Sequence, residues 1–187
     1  MANYRILLLG GGSGGHVFPL IAVAKALKEK SQQAGTPTEF LDPLKQGQET
    51  TPRLELMILG EGRFMEKAAA EAGLNLKLIL AGKFRRYFSL LTILDIFKIP
   101  IWFIQALWYV FWFMPDVVFA KGGYASLPGA LVSKLYFIPL FVHESDSVPG
   151  LANKILGKLA KTVFVCFNSS QKYFDTGKTV LTGNPIR

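Results

Sequence analysis

At 187 residues, half of them hydrophobic and 18% charged, the chain is long enough for one sizeable core and too apolar for a disordered segment. Its net charge of +8 favours anionic partners such as nucleic acid, phosphorylated ligands or anionic lipid. A single cysteine, Cys166, excludes an intramolecular disulfide framework and fits a reducing cytosol; lying in the apolar run 162–167, it reads as a buried structural thiol.

The first element is a short β-rich run, 4–9, closed by the glycines of 10–15. No basic region precedes a long apolar one, so this is a first strand and not a signal peptide. Residues 17–30 carry Leu20, Val23, Ala24 and Leu27 at helical spacing. Strand, glycine turn and helix are the opening of an open parallel α/β sheet. Residues 31–53 break the rhythm with polar residues and Gly35, Pro37, Pro43, Gly47 and Pro52, and read as a surface loop or insertion. A strand is expected over 54–59, a helix over 63–72 ended by Gly73, and a strand over 74–80.

The segment 84–114 concentrates the apolar excess behind a mean hydropathy of +0.30. It holds Trp102, Trp108 and Trp112 with six phenylalanines, and Phe84, Arg85 and Arg86 lie at its entrance. A membrane-spanning helix needs about 20 uninterrupted apolar residues. Asp95, Lys98 and Pro100 interrupt this one, and its cleanest stretch, 99–114, is short of a span. Flanking cations and abundant aromatics suit a helix lying in the bilayer interface, with Phe84, Arg85, Arg86, Trp102, Trp108 and Trp112 as its contacts. A core helix apolar on every side is the alternative.

Beyond it, strands are expected over 116–120, 139–142, 162–167 and 179–181, with helices over 126–135 and 149–159. Roughly seven strands alternating with helices predict a Rossmann-like open parallel sheet with helices on both faces, forming a single domain. In such sheets ligands gather at the carboxyl ends of the strands. The stretches 10–16, 121–126 and 143–147 all follow strands and are expected to converge on one edge.

The run from Gly10 to Gly15 satisfies the G-x-G-x-x-G pattern of dinucleotide sites, where glycines bring backbone close to a phosphate at a helix N-terminus. A nicotinamide enzyme also wants an acidic residue closing the second strand at a spacing that the interruption at 31–53 spoils. A tight turn with no ligand is the remaining alternative. His16, in the first turn of the helix, is held neutral by the helix dipole and is placed to accept a proton from a hydroxyl; a histidine that only bonds its neighbours is the competing reading.

The segment Gly11-Gly12-Ser13-Gly14-Gly15-His16-Val17-Phe18-Pro19 resembles the first glycine loop of the MurG family, bacterial N-acetylglucosaminyltransferases of glycosyltransferase family 28. Gly122-Gly123-Tyr124-Ala125-Ser126-Leu127-Pro128-Gly129 is similar to that family's second glycine loop. His143-Glu144, with Gly150-Leu151-Ala152-Asn153-Lys154, is similar to its HEQN…G-L-x-N-K stretch, and Gly183-Asn184-Pro185-Ile186-Arg187 to the segment closing its N-terminal domain. The resemblance implies one half of a GT-B fold, the half that binds the lipid-linked acceptor. It implies transfer of GlcNAc from UDP-GlcNAc, a co-substrate rather than a cofactor, to the C4 hydroxyl of MurNAc in lipid I, with inversion, giving lipid II for peptidoglycan. No metal or resident cofactor is expected.

Carried over by the resemblance, His16 is the catalytic base. Gly12, Ser13, Gly14, Gly15, Gly122 and Gly123 would line the acceptor diphosphate site. Tyr124 and Ser126 would hold the acceptor, and Glu144 and Asn153 would shape the cleft. Expected partners are lipid I, an anionic membrane surface at the cytoplasmic face, and a C-terminal donor domain in cis or in trans, absent from this sequence. Without it, the chain is expected to bind acceptor but not to catalyse transfer. Ser13 stands where the family more often has Thr, Ser145 where it has Gln and Asp146 where it has Asn. An extra carboxylate beside a diphosphate is unfavourable unless it faces a cation or a sugar hydroxyl. Other readings are a non-catalytic membrane-anchoring subunit of a split UDP-GlcNAc transferase, as in eukaryotes, and an NAD(P)-binding Rossmann module. Nucleic-acid binding would explain the charge but not the Trp-rich stretch.

Overall fold

The structure, a computed structural model, describes residues 4–11, 14–33, 53–79 and 90–185, and for 90–99 the helical backbone alone. Its strands are β1 (Tyr4–Gly11), β2 (Leu54–Glu61), β3 (Asn75–Leu78), β4 (Val117–Ala120), β5 (Leu140–Glu144), β6 (Thr162–Val165) and β7 (Thr179–Leu181). Its helices are α1 (Gly14–Gln33), α2 (Arg63–Glu71), α3 (Leu90–Phe113), α4 (Ser126–Leu135), α5 (Leu151–Leu159) and α6 (Asn168–Gln171).

All seven strands pair in parallel, in the order β3-β2-β1-β4-β5-β6-β7. The expected Rossmann-like α/β sheet is therefore present. Strand order reverses direction between β1 and β4, and at such a switch point the connections leave on opposite faces and open a crevice.

Alternation along the strands divides the core. Leu7, Leu9, Met57, Leu59, Val118, Ala120 and Val142 face one side, where Trp102, Ala106 and Val110 of α3, Ala130 of α4 and Leu156 of α5 close over them. Leu8 and Ile58 face the other, against Val17, Leu20 and Ala24 of α1 and Met65 and Ala69 of α2. Strands covered on both faces are near-continuous apolar runs, which is why 4–9 and 54–59 lack polar alternation.

Several boundaries differ from expectation. The first strand carries on through Gly10 and Gly11, and α1 begins inside the glycine run at Gly14. That helix also runs on to Gln33, so the first residues of the expected insertion at 31–53 are its last turn; 34–52 lie outside the described residues. The third strand is shorter than 74–80: Leu74 packs into the core ahead of the ladder. The short helix α6 and a 3-10 turn at Thr176–Lys178 were not signalled by apolar periodicity, being too short to carry one.

The aromatic helix α3 requires a correction. Trp102, assigned to the membrane, is 5% exposed and sits with Ala106 and Val110 at successive turns against the sheet. Trp108 and Trp112 are 60% and 65% exposed on another side of the helix, with Ile101, Ile104 and Phe111. The segment thus serves as core helix on one face and apolar surface on the other. Phe84, Arg85 and Arg86 lie outside the described residues. Among the described residues no helix is long and apolar enough to cross a membrane. Trp102→Ala should lower the free energy of unfolding by about 3–5 kcal/mol, and Trp108→Ala by less than about 1 kcal/mol, in chemical denaturation; equal effects would mean that the two faces are assigned wrongly.

Candidate functional site

At the carboxyl edge, backbone is packed against backbone. A β-carbon on Gly60 would collide with the Gly10 carbonyl oxygen, so β1 and β2 close only with glycine there. Across the switch point, Gly123 has φ 82°, and its absent β-carbon would lie 3.0 Å from the Gly11 carbonyl oxygen and 3.7 Å from Cδ2 of His16. Gly122 has φ 103° and leaves room for the Asn153 amide. The left-handed backbone at both positions favours glycine. The second glycine loop therefore lies directly on the first.

His16 stands in the first turn of α1, as expected, half-buried where the two loops meet. Burial, reinforced by the Lys121 ammonium, pushes its imidazole below the usual range, so the ring is neutral at pH 7. Its Nδ1 is buried with no hydrogen-bond partner, and the nearby Lys121 backbone offsets only part of the downward shift. A neutral imidazole with one uncommitted nitrogen can accept a proton. Gly14 and Gly15 supply the first N–H groups of α1, whose positive dipole end is an anion-binding feature. Gly12 and Ser13 lie outside the described residues.

Glu144 is buried and committed. Its Oε1 accepts the Asp146 N–H at 2.8 Å and its Oε2 accepts from Nδ2 of Asn153 at 2.9 Å. These bonds shape the turn after β5 and tie it to α5. Tyr124 lies half-buried in the turn before α4.

Ser126 needs correction. Its buried hydroxyl donates to the Gly122 carbonyl at 2.7 Å, so it locks the glycine loop instead of reaching toward a ligand. A serine at a helix start commonly bonds backbone one turn away, a signal present in the sequence. Cys166 is half-buried and not fully enclosed, one residue past β6 with Sγ 3.7 Å from Nε2 of His143. The return of Gly183 to this edge also went unread: its carbonyl accepts from Nε2 of His143 at 3.1 Å. Two features carried no sequence signal. One is Lys121, fully buried at the end of β4. The other is the exposed pair Phe18 and Phe64, packed edge to face at 5.2 Å beside Gly14. No group of three or more His, Cys, Asp or Glu among the described residues could hold a metal.

A doubly wound sheet with two interlocked glycine loops and a neutral histidine at its switch point defines a Rossmann-like domain of the GT-B type. The glycosyltransferase family 28 N-terminal domain matches residues 6–52 and 44–165, and the chain belongs to that family. A Borrelia garinii protein named UDP-N-acetylglucosamine–N-acetylmuramyl-(pentapeptide) pyrophosphoryl-undecaprenol N-acetylglucosamine transferase is 34% identical over 98% of this chain and 46% of its own length. A Lachnospira eligens protein of the same name is 37% identical over 98% of this chain and 46% of its own. The crystal structure of Acinetobacter baumannii MurG superposes with a TM-score of 0.72 at 25% identity, covering 97% of this chain and 46% of that one. UDP-GlcNAc 2-epimerase from Neisseria meningitidis, bound to UDP-GlcNAc, shares the fold at 13% identity, with a TM-score of 0.61 over 97% of this chain and 47% of that one. The chain spans about half the length of the curated relatives it matches.

Burial, with Lys121 nearby, holds His143 down to about 4, so the folded state resists its protonation. The unfolded chain takes up that proton near pH 6.5, and the native chain only near 4. Stability is therefore full above pH 6.5 and falls as pH drops through this window. Thermal unfolding followed from pH 7 to 4 should show His143→Gln losing less stability than wild type, by on the order of 2 kcal/mol. Parallel curves would remove His143 as a source of acid sensitivity.

Proposed function

We propose that this chain is the acceptor-binding, membrane-facing half of a transferase that moves GlcNAc from UDP-GlcNAc to lipid I, giving lipid II, at the cytoplasmic face of the membrane. The observation that carries this reading is His16, a neutral imidazole with an uncommitted nitrogen at the junction of two glycine loops. The names of the curated relatives support the substrates, and the MurG likeness supports the division of labour with a donor-binding half, joined in cis or supplied in trans.

In this reading the N-terminus of α1 and the second glycine loop hold the acceptor diphosphate by backbone N–H groups. The MurNAc C4 hydroxyl lies toward His16. As its oxygen attacks the anomeric carbon of GlcNAc and the bond to UDP breaks, the imidazole takes the hydroxyl proton. Configuration inverts because attack and departure occur on opposite faces. Glu144 and Asn153 hold the β5 turn that forms the cleft wall. The outward side of α3, with Trp108 and Trp112 packed at 5.6 Å and Phe111 and Trp112 at 5.8 Å, supports contact with the lipid surface where the acceptor's isoprenoid tail is anchored.

The decisive assay is GlcNAc transfer from UDP-GlcNAc to a soluble lipid I analogue by this chain together with a family 28 donor half. Absence of transfer, with both halves folded, would sink the proposal. In the active pair, His16→Ala should cut kcat by about 10²–10⁴-fold with the unfolding midpoint nearly unchanged; turnover at the wild-type rate would take the base assignment away from His16. Replacing Trp108 and Trp112 together with Ser should weaken partition onto anionic vesicles, measured by co-sedimentation, and unchanged partition would mean that this face does not meet lipid.

A further inference from the structure

Lys121 is 0% exposed and ranks among the largest fully buried side chains, yet its Nζ has no hydrogen-bond partner. A buried ammonium is ordinarily paired, because leaving it unpaired in low dielectric is costly. Its backbone N–H donates to the Leu9 carbonyl at 2.9 Å, which fixes the residue between the ends of β1 and β4, immediately before Gly122 and Gly123. The groups that feel its charge, or whose charge it feels, are His16, His143, Glu144, Asp146 and Cys166, all on the carboxyl edge. None of them neutralises it by contact. Both Glu144 oxygens are taken by the Asp146 N–H and the Asn153 amide. Asp146 is exposed, and the ion pair Arg5–Glu55 lies at the other end of β1. Burial pushes its pKa below the ordinary lysine value, and no group among the described residues is placed to pair the ammonium and offset that cost, so an anion arriving from outside would supply what the fold does not.

We propose that Lys121 is the anion-binding cation of this site, its ammonium receiving a phosphoryl oxygen of a diphosphate ligand seated over the two glycine loops. The proposal rests on the reading that the site takes a diphosphate, and it names the side chain that binds it. It also accounts for Asp146: a carboxylate at the rim that would repel a diphosphate is tolerated beside a buried cation that offsets its charge. Lysine suits the task as a compact charge on a flexible stem that can reach an arriving oxygen.

The test uses the chain itself, with inorganic pyrophosphate titrated by calorimetry and thermal unfolding at constant ionic strength. Lys121→Met should raise the unfolding midpoint of the free chain, because an unpaired buried charge is gone, and should weaken pyrophosphate binding by about ten-fold or more. Lys121→Arg should retain most of the binding, and Lys134→Met, on the exposed side of α4, should change nothing. Undiminished binding by Lys121→Met overturns the proposal. If that variant fails to fold, the Nζ resonance of Lys121 in the wild-type chain decides: it must move on adding pyrophosphate, and an unmoved resonance overturns the proposal. A soluble lipid I analogue separates this inference from the acceptor reading. Lys121-dependent pyrophosphate binding without analogue binding leaves the cation site standing and removes the acceptor assignment. Analogue binding indifferent to Lys121→Met does the reverse, and a wild-type chain that binds neither removes both.

Discussion

The close approach of backbone to backbone at the ends of β1, β2 and β4 is the constraint on which the rest of the site depends. Gly60 lets β2 lie beside the Gly10 carbonyl, and Gly123 lets the loop after β4 settle on the Gly11 carbonyl. A side chain at either place would wedge the strands apart at the edge where they must meet. Because they do meet, His16 from α1 and Lys121 just past β4 lie within electrostatic reach of Glu144 at the end of β5 and Asp146 in the turn beyond it, although 130 positions separate the first from the last of them. The glycines act as spacers of zero width as well as sources of free N–H groups, and the two roles reinforce each other.

What could be read from the sequence was what is local. The glycine runs, the helix that follows each and the apolar strands were legible because each rests on residues adjacent in the chain. Lys121 was not, since the Leu9 carbonyl that fixes its backbone and the charges of Glu144 and Asp146 that it feels are all remote in sequence. Cys166 was misjudged for a related reason: it continues the apolar run of β6 but falls one residue beyond the ladder, where the edge opens. The tryptophans of α3 hid their division of labour because every side of the helix is apolar, so periodicity cannot say which side meets the sheet. In hindsight the small residue Ala106 between Trp102 and Val110 marks the packed face, where α3 must come near the strands.

The fold alone does not choose the chemistry. Epimerases of UDP-GlcNAc share this architecture at low identity, so the parallel sheet and its crevice are common property. What this chain places at the edge is an imidazole kept neutral by burial and by a neighbouring cation, a carboxylate spent on holding a turn, and a serine spent on holding a loop. Most of the polar groups there are committed to one another, so the few that are not, Nδ1 of His16, Nζ of Lys121 and Oδ1 of Asn153 among them, define what the crevice can offer a ligand.

The direction of α3 has a consequence for how a lipid-borne molecule would arrive. The helix links the carboxyl end of β3 to the amino end of β4, so it runs back along the sheet, alongside the strands and opposite in sense to them. If its outward stripe from Ile101 to Trp112 rests on a bilayer, the strands lie flat along that surface. The crevice then opens sideways, level with the headgroups, and neither down into the hydrocarbon nor up toward water. A headgroup would slide in from the side, tethered by its own tail, and search for the site in two dimensions.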